Sequence, residues 1–342
     1  MKTFPMAYIT APGKIEFRET ELREPGSDEV MIQVQSAAIC GSDLHLFKGK
    51  HPSVQLPSAV GHELSGSVIK TGTAVTRFRE GDRVTVEPVI ACGHCEFCLR
   101  GQYHLCSNIS FQYRKGQGAF APYFYAPEKR TYLLPDSLSY EEGALIEPLS
   151  VALHAVKKSG IRLGDSVAVF GAGAIGLLVC SLVKHAGGSN VYCVDVSDFR
   201  LQKSLEMGAT RSINNLSENA LDVIREDTRG MGVDLAFEAV GREQTLAQAL
   251  ESVRKGGSVT LLGIFEDSDI RVPVHLFIQR EIGLVGSQGY AWDFDDAITL
   301  AHNGLVPLKN MVTHRFPLSE LQKGFDLLLT PGNTAVKVET QF

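Results

Sequence analysis

The chain has 342 residues, more than one ordinary hydrophobic core can organise, so its length predicts two domains. Hydrophobic residues make up 44% and charged residues 21% of the chain, a composition typical of a globular protein. The formal net charge of −6 and the lack of a dense basic run argue against a nucleic-acid-binding protein and against an anionic-membrane-binding protein.

The N-terminus and the cysteine usage both indicate a cytoplasmic protein. The first ten residues, MKTFPMAYIT, contain Pro5 and no apolar segment, so we expect no secretory signal peptide. The chain has seven cysteines, an odd number, and four of them fall between Cys92 and Cys106. Such crowding without a secretion signal favours metal binding over disulfide bonds.

The first third of the chain has the texture of a β-rich domain. Residues 29–39, EVMIQVQSAAI, and residues 66–72, GSVIKTG, alternate or cluster β-branched residues between turn signals. Prolines and glycines are frequent up to Pro148, and helical periodicity is scarce. This part of the chain therefore predicts strands joined by short loops.

Two short segments of this β-rich part contain candidate metal ligands. Residues 40–45 are CGSDLH and residues 61–66 are GHELSG. A catalytic zinc takes three protein ligands, from cysteine, histidine or carboxylate, and leaves one position open. Cys40, His62 and Glu63 form such a set if the backbone turns at Gly61. Alone, Cys40 or His62 would more often be a core residue, but the pair of segments predicts a catalytic zinc site.

The four-cysteine loop predicts a second, structural zinc. Its spacing is C-x₂-C-x₂-C-x₇-C, formed by Cys92, Cys95, Cys98 and Cys106. Four thiolates close a tetrahedral shell, which suits zinc and leaves no position for chemistry. A ferredoxin cluster is the alternative, but its fourth cysteine follows after three residues and precedes proline. Here the gap is seven residues and Ser107 follows.

From about residue 150 the pattern changes to strands that alternate with helices. The strand-like runs are VAVF, NVYCVD, VDLAFEAVG, SVTLLG and EIGLVGS. This alternation predicts βαβ units and a doubly wound parallel sheet, hence an α/β fold. The uncharged residues 167–183 fit a strand, a turn and the start of a helix better than a membrane span. The last fifty residues are mixed, with helices predicted near residues 294–302 and 318–329.

A glycine-rich turn after the run VAVF predicts a dinucleotide site. Gly171, Gly173 and Gly176 form G-x-G-x-x-G, in which the glycines allow the tight turn, the approach of the pyrophosphate and close helix packing. Asp195 ends the next strand-like run, where a carboxylate accepts from ribose hydroxyls and repels a 2′-phosphate, so NAD is favoured over NADP. The alternative is a glycine-rich turn in an unrelated α/β protein. The other predicted cofactor residues are Ile175, Arg200, Gly263, Ile264, Ser287, Gln288 and Gly289.

Taken together, these segments resemble the zinc-containing medium-chain dehydrogenase/reductase family over the whole length of the chain. The resemblance rests on CGSDLH, GHELSG, GDRV at residues 81–84, the cysteine loop, Glu147-Pro148 and the dinucleotide fingerprint, in that order. Within the family the chain is most similar to the polyol branch typified by sorbitol dehydrogenase. The similar segments are EEGALIEPLSV at residues 141–151 and VTHRFPL at residues 312–318.

The resemblance implies an architecture and an activity. It implies a GroES-like catalytic domain of residues 1–149 and 289–342, and a Rossmann NAD-binding domain of residues 150–288. It also implies an enzyme that oxidises a secondary hydroxyl of a polyol or sugar-derived alcohol to the ketone with transfer of hydride to NAD. The expected cofactors are two zinc ions and NAD, and the expected assembly is a homotetramer or homodimer.

The resemblance also implies roles for individual residues. Cys40, His62 and Glu63 would bind the catalytic zinc, and Glu147 would either hold a water at the zinc or ligate it directly. The proton would leave through Ser42 and His45, or through the water at Glu147, and the sequence does not choose between these routes.

Two positions depart from sorbitol dehydrogenase and leave the substrate open. Gly289 stands where that enzyme has an arginine, and Leu46 stands where it has an aromatic residue. A shorter polyol, a vicinal diol such as butanediol, or a hydroxy acid is therefore an alternative substrate. Threonine dehydrogenase and a non-catalytic crystallin-type protein are the rival functions. Phe111 and Tyr290 are predicted either to line the substrate pocket or to be ordinary packing residues.

Overall fold

The computed structural model of the chain describes residues 2–51, 54–267 and 269–342. The chain folds into two compact units. The first unit contains Met1–Glu147, Phe294–Asn303 and Leu308–Phe342, and the second contains Pro148–Asp293 and Gly304–Pro307. The second unit extends beyond residue 288, where the sequence places its end, because the Asp293 carboxylate binds two side chains of that unit. These are His154 Nδ1, at 2.9 Å, and Lys157 Nζ, at 2.8 Å.

The strands and helices of the described residues follow in chain order. The strands are β1 (Thr3–Ala11), β2 (Lys14–Glu21), β3 (Glu29–Ala38), β4 (Ser58–Ala59), β5 (Glu63–Thr71), β6 (Arg83–Val86), β7 (Val89–Ile90), β8 (Ser110–Phe111), β9 (Tyr123–Pro127), β10 (Thr131–Leu133), β11 (Val167–Phe170), β12 (Val191–Asp195), β13 (Arg211–Asn214), β14 (Val233–Glu238), β15 (Val253–Leu261), β16 (Gly283–Gly286), β17 (Val312–Pro317) and β18 (Lys337–Gln341). The α-helices are α1 (Gly41–Phe47), α2 (Glu96–Leu99), α3 (Tyr140–Ala144), α4 (Ile146–Ser159), α5 (Ala174–His185), α6 (Asp198–Glu206), α7 (Ala220–Asp227), α8 (Glu243–Ser252), α9 (His275–Gln279), α10 (Phe294–His302) and α11 (Leu321–Leu329).

The first unit is built on a seven-stranded sheet. Its strand order is β10-β6-β5-β3-β18-β17, and β9 also pairs with β3. The β17–β18 pair is parallel, and the other pairs are antiparallel. Apolar side chains of β3, β5 and β6 pack against α11 and the segment before β9 and form the main core, which includes Ile32, Leu64, Val86, Phe120 and Phe325. The β-rich first third that the sequence predicts is confirmed.

The second unit is built on a six-stranded sheet in which all pairs are parallel. Its strand order is β13-β12-β11-β14-β15-β16. Numbered within this unit, the order is 3-2-1-4-5-6, the Rossmann order. The predicted fold class, a β-rich domain plus a Rossmann-type parallel-sheet domain, is confirmed. Residues 167–183 form β11, a turn and most of α5, as their glycine-interrupted apolar pattern predicts.

The helix lengths agree with the interpretation of residues 167–183 as a strand, a turn and the start of a helix rather than a membrane span. Among residues 2–51, 54–267 and 269–342, no helix combines the length and the apolar character that a bilayer crossing requires. Helix α5, which follows the glycine-rich turn, has mostly buried residues and packs on β11 and β12.

Candidate active site

Strand register brings the predicted metal ligands together at one end of the main sheet. Ala38, the last residue of β3, pairs with Glu63, the first residue of β5. Because the strands are antiparallel, Cys40, just after β3, lies beside His62 and Glu63. Strand β18 pairs with β3 on the other side, with Glu339 opposite Ala38. Lys337, two residues earlier in β18, therefore also lies at this end of the sheet.

The turn that presents His62 and Glu63 depends on Gly61. Gly61 has a φ of 89°, a left-handed conformation that glycine adopts without strain. A Cβ at this position would also lie 2.7 Å from ring carbons of Phe120. The backbone therefore turns at Gly61 as the sequence requires, and both conformation and space favour glycine there.

Cys40, His62 and Glu63 form a compact set of donor atoms. One sulfur, one ring nitrogen and one carboxylate oxygen lie within 4.8 Å of one another. Zinc binds such atoms at about 2.0–2.3 Å, so ligands on one ion lie close together in the same way. The chemistry and the spacing of these donors fit a zinc ion with one position left open. Glu147 lies outside this set.

A carboxylate that the sequence analysis did not single out positions two of these residues. The Cys40 backbone N–H donates to Asp43 Oδ2 at 2.9 Å, which caps the start of α1. Asp43 Oδ1 lies 3.5 Å from His62 Nδ1, and both side chains are buried. Although burial opposes it, the Asp43 and Cys40 charges raise the pKa of His62 well above its ordinary value. The pairing assigns Nδ1 to Asp43, so Nε2 is the ring nitrogen available to a metal.

A buried lysine neutralises the third candidate ligand, Glu63. Lys337 Nζ donates to both carboxylate oxygens of Glu63 at 2.5 Å and to the Ile39 carbonyl at 3.2 Å. Burial alone would lower the pKa of Lys337, but the charges of Glu63, Cys40 and Glu147 raise it, so the ammonium form is retained. Glu63 is therefore a charged carboxylate in an interior position, with its compensating cation provided by β18.

The remaining predicted catalytic residues lie on two helices. Ser42 and His45 are both half-buried and stand three positions apart on α1, so they share one face of the helix. Glu147 is the second residue of α4, is 5% exposed, and contributes to the electrostatic field at Lys337. The structure thus places these residues in the same unit as the three donor atoms.

A second buried carboxyl lies on the same strand as Lys337. Glu339 is fully buried, and Ser36 Oγ donates to its Oε2 at 2.5 Å. Burial raises the pKa of Glu339 to about 8, and the nearby charges of Glu141 and Glu63 act in the same direction, whereas Ser36 and Lys337 oppose them. Since alternate residues of a strand point to one face, Lys337 and Glu339 lie on the same side of β18.

The four-cysteine loop is also compact. The four sulfur atoms lie within 4.8 Å of one another, and no disulfide joins cysteines among the described residues. Two Sγ–Sγ distances, Cys92 to Cys98 and Cys95 to Cys106, are 3.9 Å. Backbone N–H groups of His94 and Cys95 lower the pKa of Cys92, and those of Cys98 and Ser107 lower the pKa of Cys95 to about 6. These thiolate-stabilising contacts fit a closed zinc site.

In the second unit, each glycine of the fingerprint has a distinct environment. Gly171 follows β11 with a φ of 105°. A Cβ on Gly173, the N-cap of α5, would meet nothing within 4 Å, which leaves room for a ligand at the helix N-terminus. A Cβ on Gly176 would lie 1.8 Å from the Gly171 carbonyl oxygen. This geometry fits the turn, the open approach and the close helix packing that a dinucleotide site needs.

Asp195 is the last residue of β12, and backbone donors hold its carboxylate. Oδ2 accepts from the Ala172 N–H at 2.7 Å, while Oδ1 accepts from Val196 at 2.8 Å and from Ser197 at 3.0 Å. The carboxylate is therefore linked directly to the glycine-rich turn. Its negative charge stays at the carboxyl edge of the sheet, where a ribose would bind.

Most other predicted cofactor residues also follow strand ends in this sheet. Gly263 and Ile264 come shortly after β15, and Ser287 follows β16, with its N–H bound to the Leu261 carbonyl at 3.0 Å. Ile175 and Arg200 are half-buried and belong to α5 and α6, the helices after β11 and β12. The others, Gln288 and Gly289, lead into Tyr290, which is 1% exposed in this unit.

The second predicted pocket residue, Phe111, belongs to an aromatic group beside the candidate metal ligand His62. Its ring stacks on Tyr113 with centroids 5.6 Å apart, and Tyr113 lies 5.7 Å from the His62 ring. Arg114, the next residue, lies over Phe111 with its Cζ 5.6 Å from the ring centroid. Ring contacts therefore run from Phe111 to Tyr113 and from Tyr113 to the candidate ligand His62.

Two protein-family models match separate parts of the chain. A family model described as "Alcohol dehydrogenase GroES-like domain" matches residues 26–136, and one described as "Zinc-binding dehydrogenase" matches residues 174–303. Sorbitol dehydrogenase of Bacillus subtilis (strain 168) is 36% identical over 315 residues, which cover 91% of this chain and 89% of that protein. The chain belongs to the zinc-containing medium-chain dehydrogenase family.

Two further members of this family are similar over almost the entire chain. D-arabitol-phosphate dehydrogenase of Enterococcus avium is 34% identical over 345 residues and covers 99% of this chain, with 98% of that protein matched. The crystal structure of 2R,3R-butanediol dehydrogenase from Bacillus subtilis superposes with a TM-score of 0.90 at 34% identity, covering 99% of each chain. The chain is therefore a full-length match to zinc-type alcohol dehydrogenases, and the predicted family and class of reaction are confirmed.

Several residues around the dehydrogenase site escaped the sequence analysis. Asp43 stands three residues after Cys40, the spacing of a helix capping box, and that spacing was a usable signal. Lys337 is the single basic residue of strand β18, and no sequence pattern near it indicates a contact with Glu63. Tyr113 and Arg114 belong to no recognisable sequence motif, so only the folded structure shows that they lie near His62.

Proposed function

We propose that this dehydrogenase uses zinc and NAD to oxidise a secondary hydroxyl of a polyol or sugar-derived alcohol to the ketone. The observation that carries the proposal is the three-donor group of Cys40, His62 and Glu63. Three protein ligands leave an open position for a substrate oxygen, whereas the four-cysteine loop leaves none. The first group is therefore the catalytic centre and the second is structural.

Each residue of the centre has a defined task. When bound, zinc supplies a Lewis acid that lowers the pKa of a substrate hydroxyl, and NAD takes up the hydride. Asp43 orients His62, and Lys337 balances the charge of Glu63. Ser42 and His45, on one face of α1, provide one route by which the hydroxyl proton leaves the site.

Glu147 provides the other route for the proton. It lies outside the three-donor group, so we assign it a water-holding role rather than direct ligation. Its buried carboxylate is close enough to act electrostatically on Lys337, which places it near the centre. Comparing Ser42→Ala with Glu147→Gln by solvent isotope effects would tell which route carries the proton.

The substrate class is supported by relatives and by the pocket residues. Sorbitol dehydrogenase and D-arabitol-phosphate dehydrogenase act on polyols by name, and the chain is at least 34% identical to each. Gly289 and Leu46 depart from the sorbitol enzyme, and the butanediol dehydrogenase shares the fold, so a vicinal diol is the second candidate. We place Phe111 in the substrate pocket because it lies near His62 through Tyr113.

We propose NAD rather than NADP as the acceptor, together with two zinc ions per chain. Asp195 supports NAD, since its carboxylate is held at the end of β12 and would repel a 2′-phosphate. The two separate donor groups support two ions.

We also propose that the enzyme is a homo-oligomer. Strand β16 is an edge strand of the parallel sheet, and exposed apolar residues lie on it and before it, including Val274, Ile278 and Leu284. Open strand edges and exposed apolar side chains favour association. Light scattering on purified protein distinguishes a monomer from a dimer or tetramer, and a monomer at micromolar concentration would contradict this assembly.

One experiment tests the main proposal. Zinc-loaded enzyme is assayed with polyols, vicinal diols, sugar acids and threonine, each with NAD and with NADP, while NADH or NADPH formation is recorded. Cys40→Ser should abolish turnover and lose one zinc, with NAD binding retained. Cys193→Ala is the matched control, because Cys193 is buried in the second unit outside both donor groups. Full turnover by Cys40→Ser would refute the assignment of the centre.

A further inference from the structure

A cavity with one ionised side chain lies beside the metal ligands in the first unit. Its volume is about 310 Å³, within the range of small-molecule sites. Among the lining residues that the structure describes, Arg114 is the only ionisable one apart from tyrosine. The described lining consists of Tyr8, Val54, Gln55, Pro57, Ser58, Ala59, Tyr113, Arg114 and Gly116.

The cavity and the catalytic centre share a wall. Tyr113 lines the cavity, and its ring lies 5.7 Å from the ring of His62. Burial raises the pKa of Tyr113, while the charges of both His62 and Arg114 lower it, so this one phenol lies within electrostatic range of both. A molecule that fills the cavity is therefore separated from the metal ligand by little more than one aromatic ring.

Basic side chains cluster in this region although the chain as a whole is acidic. Burial lowers the pKa of His51, and the positive charges of Arg114, His45 and His62 lower it further, with Asp43 opposing them. The segments 47–51 and 112–116 contain lysine, arginine and histidine but no acidic residue. Tyr8 lines the cavity, and Arg18 lies over its ring with Cζ 4.9 Å from the centroid.

The other polar groups of the lining are neutral hydrogen-bonding groups. Ser58 Oγ donates to the Ala59 carbonyl at 2.9 Å, so the hydroxyl proton is used and the oxygen can act only as an acceptor. Tyr8 and Gln55 add a phenol and an amide, which suit hydroxyl groups. A guanidinium among such groups suits a ligand with hydroxyls along its length and a negative charge at one end.

We propose that Arg114 binds an anionic terminal group, a phosphate or a carboxylate, of the polyol substrate. This inference rests on the proposed function and narrows its substrate class. The inference requires the carbon chain to pass Tyr113, so that one hydroxyl lies at the catalytic centre while the charged end lies at Arg114. The guanidinium then forms paired hydrogen bonds to two anionic oxygens, and a lysine would provide only a point charge.

The test compares matched neutral and anionic substrates. Pentitols and hexitols are assayed with NAD, each beside its terminal phosphate and its aldonic acid. We expect kcat/KM to be higher for the phosphate or for the acid than for the neutral polyol, and the two anionic arms identify which charge is preferred. In Arg114→Leu the ratio of anionic to neutral kcat/KM should fall by about 30-fold, mainly through KM. Arg114→Lys should lie between wild type and Arg114→Leu.

The control is Lys115→Leu, an exposed neighbour that does not line the cavity. This variant should leave the anionic-to-neutral ratio within about threefold of wild type. A wild-type enzyme without preference for anionic substrates, or an equal loss for both classes in Arg114→Leu, would overturn the inference and leave the proposed polyol oxidation intact.

A binding measurement separates failure of the inference from failure of the proposed function. Calorimetric titration of zinc-loaded protein with the polyol phosphates needs no turnover. Binding that weakens about 30-fold in Arg114→Leu and by a smaller factor in Arg114→Lys supports the anion site even if no alcohol is oxidised. Equal binding by wild type and both variants, each with unchanged circular dichroism, would overturn it.

Discussion

Replacing Lys337 with methionine (K337M) removes one charge from an ion pair that water does not reach. Lys337 Nζ lies 2.5 Å from a Glu63 carboxylate oxygen, and the side chains are 3% and 0% exposed. Methionine keeps most of the apolar stem, so the packing of β18 is preserved while the cation is lost. The perturbation therefore isolates the charge of Lys337.

The expected cost follows from what remains after the substitution. Removing one partner of a buried ion pair costs about 3–5 kcal/mol, because the other charge stays buried without compensation. The Ile39 carbonyl also loses its donor, which adds about 1 kcal/mol. Zinc-free K337M should thus lose roughly 5 kcal/mol of free energy of unfolding. With zinc bound the loss should be smaller, since the ion supplies positive charge beside Glu63.

The assay is urea unfolding of wild type, K337M and the control K309M, each with and without zinc. Lys309 is exposed in the same unit, so its replacement removes a charge without breaking a buried pair. Trp292, the single tryptophan, belongs to the second unit, whereas most tyrosines belong to the first, so tyrosine signals report the unit that holds the pair. The double variant K337M/E63Q measures the coupling directly.

Two results would refute this reasoning. One is an equal free energy of unfolding for zinc-free K337M and K309M, which would mean that Glu63 tolerates burial without its cation. The other is a loss in K337M that zinc does not reduce, which would mean that Glu63 does not contact the metal.

Three further changes test other parts of the molecule. Cys98→Ser should lose one of two zinc ions and lower the melting temperature, because a closed four-thiolate site contributes to folding; elemental analysis and thermal melts measure this. Asp195→Ala should lower the ratio of kcat/KM with NAD to kcat/KM with NADP by about tenfold, since repulsion of the 2′-phosphate is removed. Glu339→Gln should be more stable than wild type at pH 9, and this advantage should be lost at pH 5. The native pKa of Glu339 is raised from 4.5 to about 8, so unfolding releases a proton between these values and wild type loses up to roughly 5 kcal/mol across that window.

Each of these has a contradicting outcome and a control. A fully stable Cys98→Ser protein with two zinc ions would exclude the structural role, and Cys193→Ala controls for loss of a thiol. An unchanged cofactor ratio in Asp195→Ala would mean that the ribose binds elsewhere. For Glu339, the exposed Glu19→Gln is the control, and parallel pH–stability curves for wild type and Glu339→Gln would show that Glu339 titrates normally.

Features defined by short segments of chain could be predicted from the sequence. The parallel-sheet unit was predictable because VAVF, the glycine turn and the apolar start of α5 are adjacent in the chain. The cysteine loop spans only residues 92–106, and its close spacing alone brings four sulfurs together. His62 and Glu63 are neighbours, and Gly61 supplies the turn that presents them.

The partners of these residues were decided by tertiary structure. Lys337 reaches Glu63 only because β18 pairs with β3, and 274 residues separate the two in the chain. Residues 289–293 belong to the second unit because Asp293 binds His154 and Lys157, a contact that no local pattern indicates. Arg114 lines a cavity together with Tyr8 and residues 54–59, so its significance depends on three distant segments.

The sequence by itself therefore determined the ligand types, their local spacing and the glycine fingerprint, which specify the chemistry that the chain can perform. The tertiary structure decided which buried charges compensate each other and which cation faces the cavity. The physical reason is that ligand geometry is set by a few adjacent backbone angles, whereas burial and charge pairing depend on long-range strand register.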